Sequence, residues 1–443
     1  MVMSILSDFG ITGILLFLGY VLRKNIPVLQ KLFLPASLIG GILGVLLGKN
    51  VLGTFCPVYL QFSEYIGQTA LPLLACVFGM QMFMIKIDKE IAKNAIHQYA
   101  LMSIAVLSQV IIGIFLVRGM MPGANDAYGL LPFTSFLGGP GVCAVVSGIV
   151  GEQANFSVET ANSIGNTYAT ISIITGTIIG VLLINIARRR GALDKAGSVS
   201  GMSEKDWTGF VPEAERVPAA YDVTNNNSTD TMSLQWAIAG VIIFVGFIFY
   251  NLITKGPALK GIVITVPVMI SSFLVGKLFQ LFKWDKYVDR KSLNHFGSIA
   301  LDFMITSSIA NTNLTIFKTH GTLILVTSVV VILWNILFIF GLSKLWSRSK
   351  WFMNGIGVFG VSNGVAATGL MLLRTADPND NYGMIRNFSA GIVLLTSTTQ
   401  LIYLNIIPMW ISGNGNGVLL VTAAAFVAFL IIGFAVGRVK TAE

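Results

Sequence analysis

Apolar residues along this chain run in blocks of about twenty, and the polar residues gather in short loops between them. A helix needs about 20 apolar residues to cross the hydrocarbon core of a bilayer. On that measure the blocks predict spans at 9–22, 32–52, 66–85, 99–117 and 161–187 in the first half. The second half gives 234–253, 261–282, 296–316, 321–346 and 384–411, and 417–437 makes an eleventh. Two further apolar blocks, 131–150 and 354–373, are broken by glycine and proline: LGGPGVCA from Leu137 to Ala144 and GVSNGVAAT from Gly360 to Thr368. Unpaired backbone N–H and C=O groups cost several kcal/mol each in lipid, so such breaks persist only where protein buries them or a wet cavity meets them. They read as re-entrant hairpins, and a matching pair of broken segments points to a transporter's binding site.

Charge supports that layout. With the N-terminus outside, the cytoplasmic loops carry Arg23, Lys24 and Lys31, then Lys86, Lys89 and Lys93, then Arg188, Arg189 and Arg190, and the same bias continues to Arg438 and Lys440. The outer loops hold only Lys49, Arg118, Lys255, Lys260 and Lys318, as the positive-inside rule requires. Composition agrees: 54% of residues are hydrophobic and 11% charged, less than half the charge of an ordinary soluble domain. The net charge of +9 is therefore topological, and no basic patch suits nucleic acid. The N-terminus has no basic n-region, so the first apolar block is expected to remain as a span. Cys56, Cys76 and Cys143 lack metal-ligand spacing, and Cys76 and Cys143, inside apolar blocks, read as small buried hydrophobes.

The expected fold is an all-α polytopic membrane protein of two inverted five-helix repeats, each with a re-entrant hairpin, plus an extra C-terminal helix. Residues 1–190 form the first repeat, 191–231 a hydrophilic and mobile cytoplasmic linker, 232–412 the second repeat, and 413–443 the extra span. Pro35 and Gly44 recur as Pro267 and Gly276, Gly141-Val142 as Gly364-Val365, and Asn166 as Asn387. Five crossings per half is an odd number, so the two copies run in opposite senses. One hairpin then enters from outside and the other from the cytoplasm, with their tips meeting near the midplane.

Candidate chemistry gathers at the breaks. Gly138, Gly139 and Gly141 flank Pro140, and Ser362 and Asn363 precede Gly364. Freed helix ends there offer N–H groups to a carboxylate and C=O groups to sodium, with Ser135, Ser362, Asn363 and Thr368 adding side-chain contacts. After the first hairpin, Asn162, Asn166, Thr170 and Thr177 share an arc of about 80° on one helix, and Asn387 stands in the equivalent place after the second. Asp302 is the acidic residue set deep in an apolar span, at a cost of roughly 2.5–3.5 kcal/mol that a bound cation or proton would offset. Thr306 and Asn313 extend its polar track. Gly40, Gly44 and Gly48 form a ridge suited to close helix packing. No hydrolase, zinc or nucleotide-binding motif is present, so the chain does not read as an enzyme, and no cofactor is expected. A channel or a membrane sensor is a poorer fit, because a pore needs no oppositely inserted pair of breaks.

In this combination the chain resembles the bacterial sodium/glutamate symporters, through Leu34 to Gly48, Phe78 to Met82, Leu137 to Arg188, Leu301 to Ala310 and Gly357 to Gln400. The resemblance implies sodium-coupled uptake of an anionic amino acid across the inner membrane by a homodimer with an elevator-like moving domain. On that reading Ser135, Gly138, Gly139, Gly141, Asn166, Ser362, Asn363, Gly364 and Asn387 contact substrate. Asn162, Thr170, Asp302, Thr306, Asn313 and Thr368 serve the coupling ion. Pro140 stands where the family tends to have histidine, and Ser362-Asn363-Gly364 departs from its second hairpin pattern. A 2-hydroxycarboxylate or dicarboxylate carrier on the same fold therefore remains the alternative.

Overall fold

The computed structural model describes residues 2–31, 34–63, 66, 70–84, 89–153, 157–193, 208–225, 228–254, 264–312, 314, 316–347, 350–377, 382–385, 387–389, 391–392, 394–395 and 414–437. Its first half is α1 (Val2–Asn25), α2 (Pro27–Lys31), α3 (Ala36–Leu47), α4 (Ala70–Met82), α5 (Lys89–Met120), α6 (Leu130–Gln153) and α7 (Val158–Arg189). The second half is α8 (Thr231–Ile253), α9 (Thr265–Leu281), α10 (Arg290–Ala310), α11 (Ile316–Trp346), α12 (Trp351–Ser362), α13 (Ala366–Ala376) and α14 (Gly415–Gly437). Among the described residues the β content is one isolated bridge, Gly48 to Leu60.

Six of these helices, α1, α5, α7, α8, α11 and α14, contain stretches long and apolar enough to cross a membrane. The blocks at 32–52, 66–85 and 261–282 hold the shorter α3, α4 and α9. The block at 296–316 holds α10, whose polar residues lower its hydropathy. In the block at 384–411, described residues up to Leu395 are helical, and 396–411 lie outside the described residues.

The helices sort into two bodies. One packs α1, α3, α4, α8, α9 and α10 around residues such as Leu38, Ile242, Val268 and Ile309. The other packs α5, α6, α7, α11, α12, α13 and α14 around Leu101, Phe133, Phe359, Leu372 and Phe388. Each half of the chain thus sends its leading helices to one body and its later ones to the other. The glycine ridge explains part of the first body. A Cβ on Gly40 would stand 2.5 Å from the Leu15 carbonyl oxygen, and one on Gly44 would strike Ala310, so α3 lies backbone-close between α1 and α10.

Helix starts follow local chemistry. Asp230 caps α8 by accepting from the Ser233 N–H at 2.7 Å, which holds its carboxyl below the usual range. Asp289 caps α10. Burial opposes its charge, but bonds from the Ser292 hydroxyl (2.6 Å) and the Tyr221, Ser292 and Lys291 N–H groups outweigh that and keep its carboxyl low. The Tyr221 bond also fastens the linker. Phe210 packs edge-on to Tyr20 and under the Lys24 ammonium, while Lys291 covers the Tyr221 ring. Residues 208–225 are therefore pinned to the ends of α1 and α10 rather than hanging free.

Candidate functional site

The first break is a single residue. α6 is helical on both sides of Gly139, whose φ of 63° and ψ of −165° reverse the local handedness. A side chain there would be strained, and its Cβ would sit 2.6 Å from a Val365 methyl. The bend is sharp: Ser135, before it, and Cys143, after it, both press on Gly165 of α7. In a straight helix those residues would stand about 12 Å apart. Pro140 follows the break and has no N–H. In an unbroken helix that N–H would bond to the carbonyl of Phe136, so proline leaves this oxygen free inside the protein.

The second break is a true hairpin tip. Gly360 of α12 lies against Gly369 of α13, and Gly357 against Leu373, so the two arms run back to back. Arms of 12 and 11 residues reach about 18 and 16 Å, too short for a core of about 30 Å. Its tip, Asn363 to Val365, touches the first break. The Gly364 N–H donates to the freed Phe136 carbonyl at 2.9 Å. Each break thus supplies what the other lacks: proline frees an acceptor, and the unwound tip presents a donor.

Amides from neighbouring helices hold this tip. Gln109 of α5 donates to the Ser362 carbonyl at 2.9 Å, and Asn335 of α11 donates to the same oxygen at 3.3 Å and to Asn363 Oδ1 at 3.1 Å. Asn363 in turn donates to the Phe359 carbonyl at 3.1 Å, and its own carbonyl abuts Gly176 of α7. Gln109 and Asn335 were missed in the sequence reading. Their signal was present: each is an amide set in a largely apolar span, Gln109 next to Ser108 and Asn335 within VILWNILFIF.

The polar stripe of α7 does something else. Asn166 donates to the Ser308 carbonyl of α10 at 2.7 Å and accepts from the Ser308 hydroxyl at 3.2 Å, while Asn162 faces that hydroxyl at 3.4 Å. These bonds join the two bodies. Asn166 lies ten residues from Gly176, about 15 Å along α7 from the second tip. Thr170 is half-buried between them. Ser135 is satisfied by its own helix, donating to the Leu131 carbonyl at 2.6 Å, and its carbonyl lies 3.5 Å from the Ser172 hydroxyl.

Other candidates sit apart. Asp302 faces the hydroxyls of Tyr20 and Ser37 within the first body, with Ser37 short of good hydrogen-bond geometry, and Thr306 donates to the Ser37 carbonyl at 3.1 Å. Thr368 accepts from the Val365 N–H at 3.4 Å and so closes the first turn of α13. Gly138 carries the Val142 side chain against it, and Gly141 lies in the second arm of α6. Asn387 is half-buried beside Phe388, which packs on Gly357 and Gly369 away from the tip. Asn313 lies outside the described residues. The described residues form no group of metal-ligating acids, histidines or cysteines. What converges at the breaks is backbone and neutral amide and hydroxyl groups, suited to holding small ions and polar solutes rather than to bond-breaking chemistry.

Residues 1–348 match the family described as sodium/glutamate symporter, a match that ends just before the second hairpin. The chain is also similar to a sodium/glutamate symporter of Haemophilus influenzae, 24% identical over 321 residues, covering 70% of this chain and 73% of that protein. Sodium-coupled transport across a membrane, and not enzymatic turnover, is what unites the match, the apolar helices and the neutral paired breaks: the chain belongs to the sodium/glutamate symporter family.

Proposed function

We propose that this protein carries a small carboxylate, L-glutamate first, into the cell with sodium, by alternating access in which the body holding both breaks moves against the other. The observation that carries the reading is the backbone bond from Gly364 to Phe136, which makes one site from two broken segments. The N-termini of the second α6 arm and of α13 offer N–H groups to a carboxylate. The C-termini of the first α6 arm and of α12 offer carbonyls to sodium. The sorting of helices into two bodies supports inverted repeats, the short arms of the second hairpin support its re-entrant insertion, and the outside N-terminus rests on the loop charges. A homodimer in the inner membrane is part of the same proposal and rests on the family resemblance.

The second reading, a 2-hydroxycarboxylate or dicarboxylate carrier, gains from one feature. The described side chains around the two tips are neutral, so an amino acid's ammonium group meets no carboxylate there. Proteoliposomes with an inward sodium gradient are expected to take up labelled glutamate, and Asn166→Ala or Asn387→Ala to abolish it. Uptake indifferent to sodium ends the coupling claim. Thermal stabilisation by citrate but not by glutamate, both in sodium, selects the second reading.

A further inference from the structure

Three buried oxygens around the second tip have no hydrogen-bond partner among the described residues: Gln109 Oε1, Asn335 Oδ1 and Ser362 Oγ. Their residues are 0%, 1% and 0% exposed. A buried polar atom left unpaired costs roughly 1–3 kcal/mol, so three around one residue ask for an explanation. Both amides spend their nitrogens on the Ser362 carbonyl, which keeps their oxygens near Ser362 and fixes them as acceptors. All three orphans can accept, and none of the acceptors has a donor. They surround the C-terminal end of α12, where the helix dipole is negative.

We infer that Gln109, Asn335 and Ser362 form a sodium site against the C-terminus of α12, a specific placement that rests on the symport reading above. A hard cation takes oxygen ligands, and neutral amide, hydroxyl and carbonyl oxygens suit a single positive charge better than a divalent ion, which calls for carboxylates. The site is closed rather than roomy. The Asn363 carbonyl lies so near Gly176 that no side chain fits between α7 and the tip. The ammonium of a substrate would have to bring its carbon chain into this tight packing, which a bare ion need not do. Occupancy would draw α5, α11 and α12 together around the tip that bonds to Phe136, so sodium would order the substrate-facing break before substrate arrives.

The test uses the purified full-length chain, titrated with sodium chloride against a choline chloride background without substrate, and followed by thermal unfolding. Ser362→Ala removes an unpartnered hydroxyl and should raise the half-saturating sodium concentration at least tenfold while leaving melting in choline unchanged. Ser103→Ala removes another buried, unpartnered hydroxyl elsewhere on α5 and should leave the sodium titration as it is. Unchanged sodium affinity in Ser362→Ala, or an equal loss in Ser103→Ala, overturns the site. So does a Ser362→Ala protein that binds sodium normally but loses affinity for glutamate and not for glutarate, since that assigns the oxygens to the ammonium. Sodium-driven uptake in proteoliposomes with wild-type sodium affinity in Ser362→Ala removes this site alone. Sodium-independent uptake by the unmodified protein removes the symport reading itself.

Discussion

The two breaks meet one problem, a helix interrupted inside an apolar body, in different ways. The first concentrates the interruption in one residue. Gly139 takes a left-handed conformation, and Pro140 forfeits a hydrogen bond that an outside donor replaces. The second spreads it over Asn363, Gly364 and Val365, with no positive φ, and relies on amides from α5 and α11 to hold the exposed carbonyl. A one-residue break is set by local stereochemistry and has little room to adjust. A three-residue break held by side chains takes its shape from its neighbours, so it is the one that a bound ion can tighten.

That contrast predicts unequal responses to the same change. Gly139→Ala should be the most damaging, since φ 63° with ψ −165° is a region open essentially to glycine, costing about 1–3 kcal/mol for an L-residue, and the new Cβ also displaces Val365. Uptake is expected to fall more than tenfold, and more than in Gly364→Ala, where no positive φ is required and the new Cβ meets the Thr368 hydroxyl at 2.8 Å and the Gly360 carbonyl oxygen at 3.0 Å. If Gly364→Ala proves the worse of the two, the asymmetry is wrong. Pro140→Ala comes next. It releases the fixed φ of the residue that follows the break and so loosens the placement of the Phe136 carbonyl, weakening a docking bond worth about 0.5–1.5 kcal/mol. Hydrogen exchange at the Gly364 amide should speed up by up to about tenfold, and unchanged protection there would break the claim that proline prepares the docking point. The smallest effect is expected far from both breaks. Asp289→Ala should lower stability by about 1 kcal/mol at neutral pH. The Asp289 carboxyl titrates below its unfolded value of about 3.9, so its contribution is full above about pH 4 and fades as pH falls through the depressed folded value. Melting curves of the two proteins should converge in acid.

Much of this architecture was legible in the chain. Block length located the long helices, glycine and proline located both interruptions, and the Gly40–Gly44 ridge announced its own packing. Partnership was not legible. Gln109 lies 253 residues from Ser362 and Asn166 lies 142 from Ser308, and helical periodicity carries no information across such distances. The repeat did not reveal partners either: Asn166 and Asn387 correspond in sequence, yet Asn166 links the two bodies while Asn387 lies next to Phe388, which packs on Gly357 and Gly369 of the α12–α13 hairpin. Asp302 stood out because a carboxylate is costly in lipid, and in the structure it faces the Tyr20 and Ser37 hydroxyls, with Ser37 Oγ still short of a hydrogen-bond partner. Hydropathy finds the expensive residue and cannot say who compensates it.

The last helix has a mechanical meaning. α14 is riveted to the body that carries both breaks: Phe429 meets Tyr99, Phe426 meets Phe338, and Gly433 admits the Trp346 ring where no side chain would fit. Its opposite face, with Leu420, Val427 and Ile431, is bare. On the alternating-access reading proposed above, that body would carry this apolar flank through acyl chains as it moves, and bilayer thickness and fluidity would then set part of the transport rate.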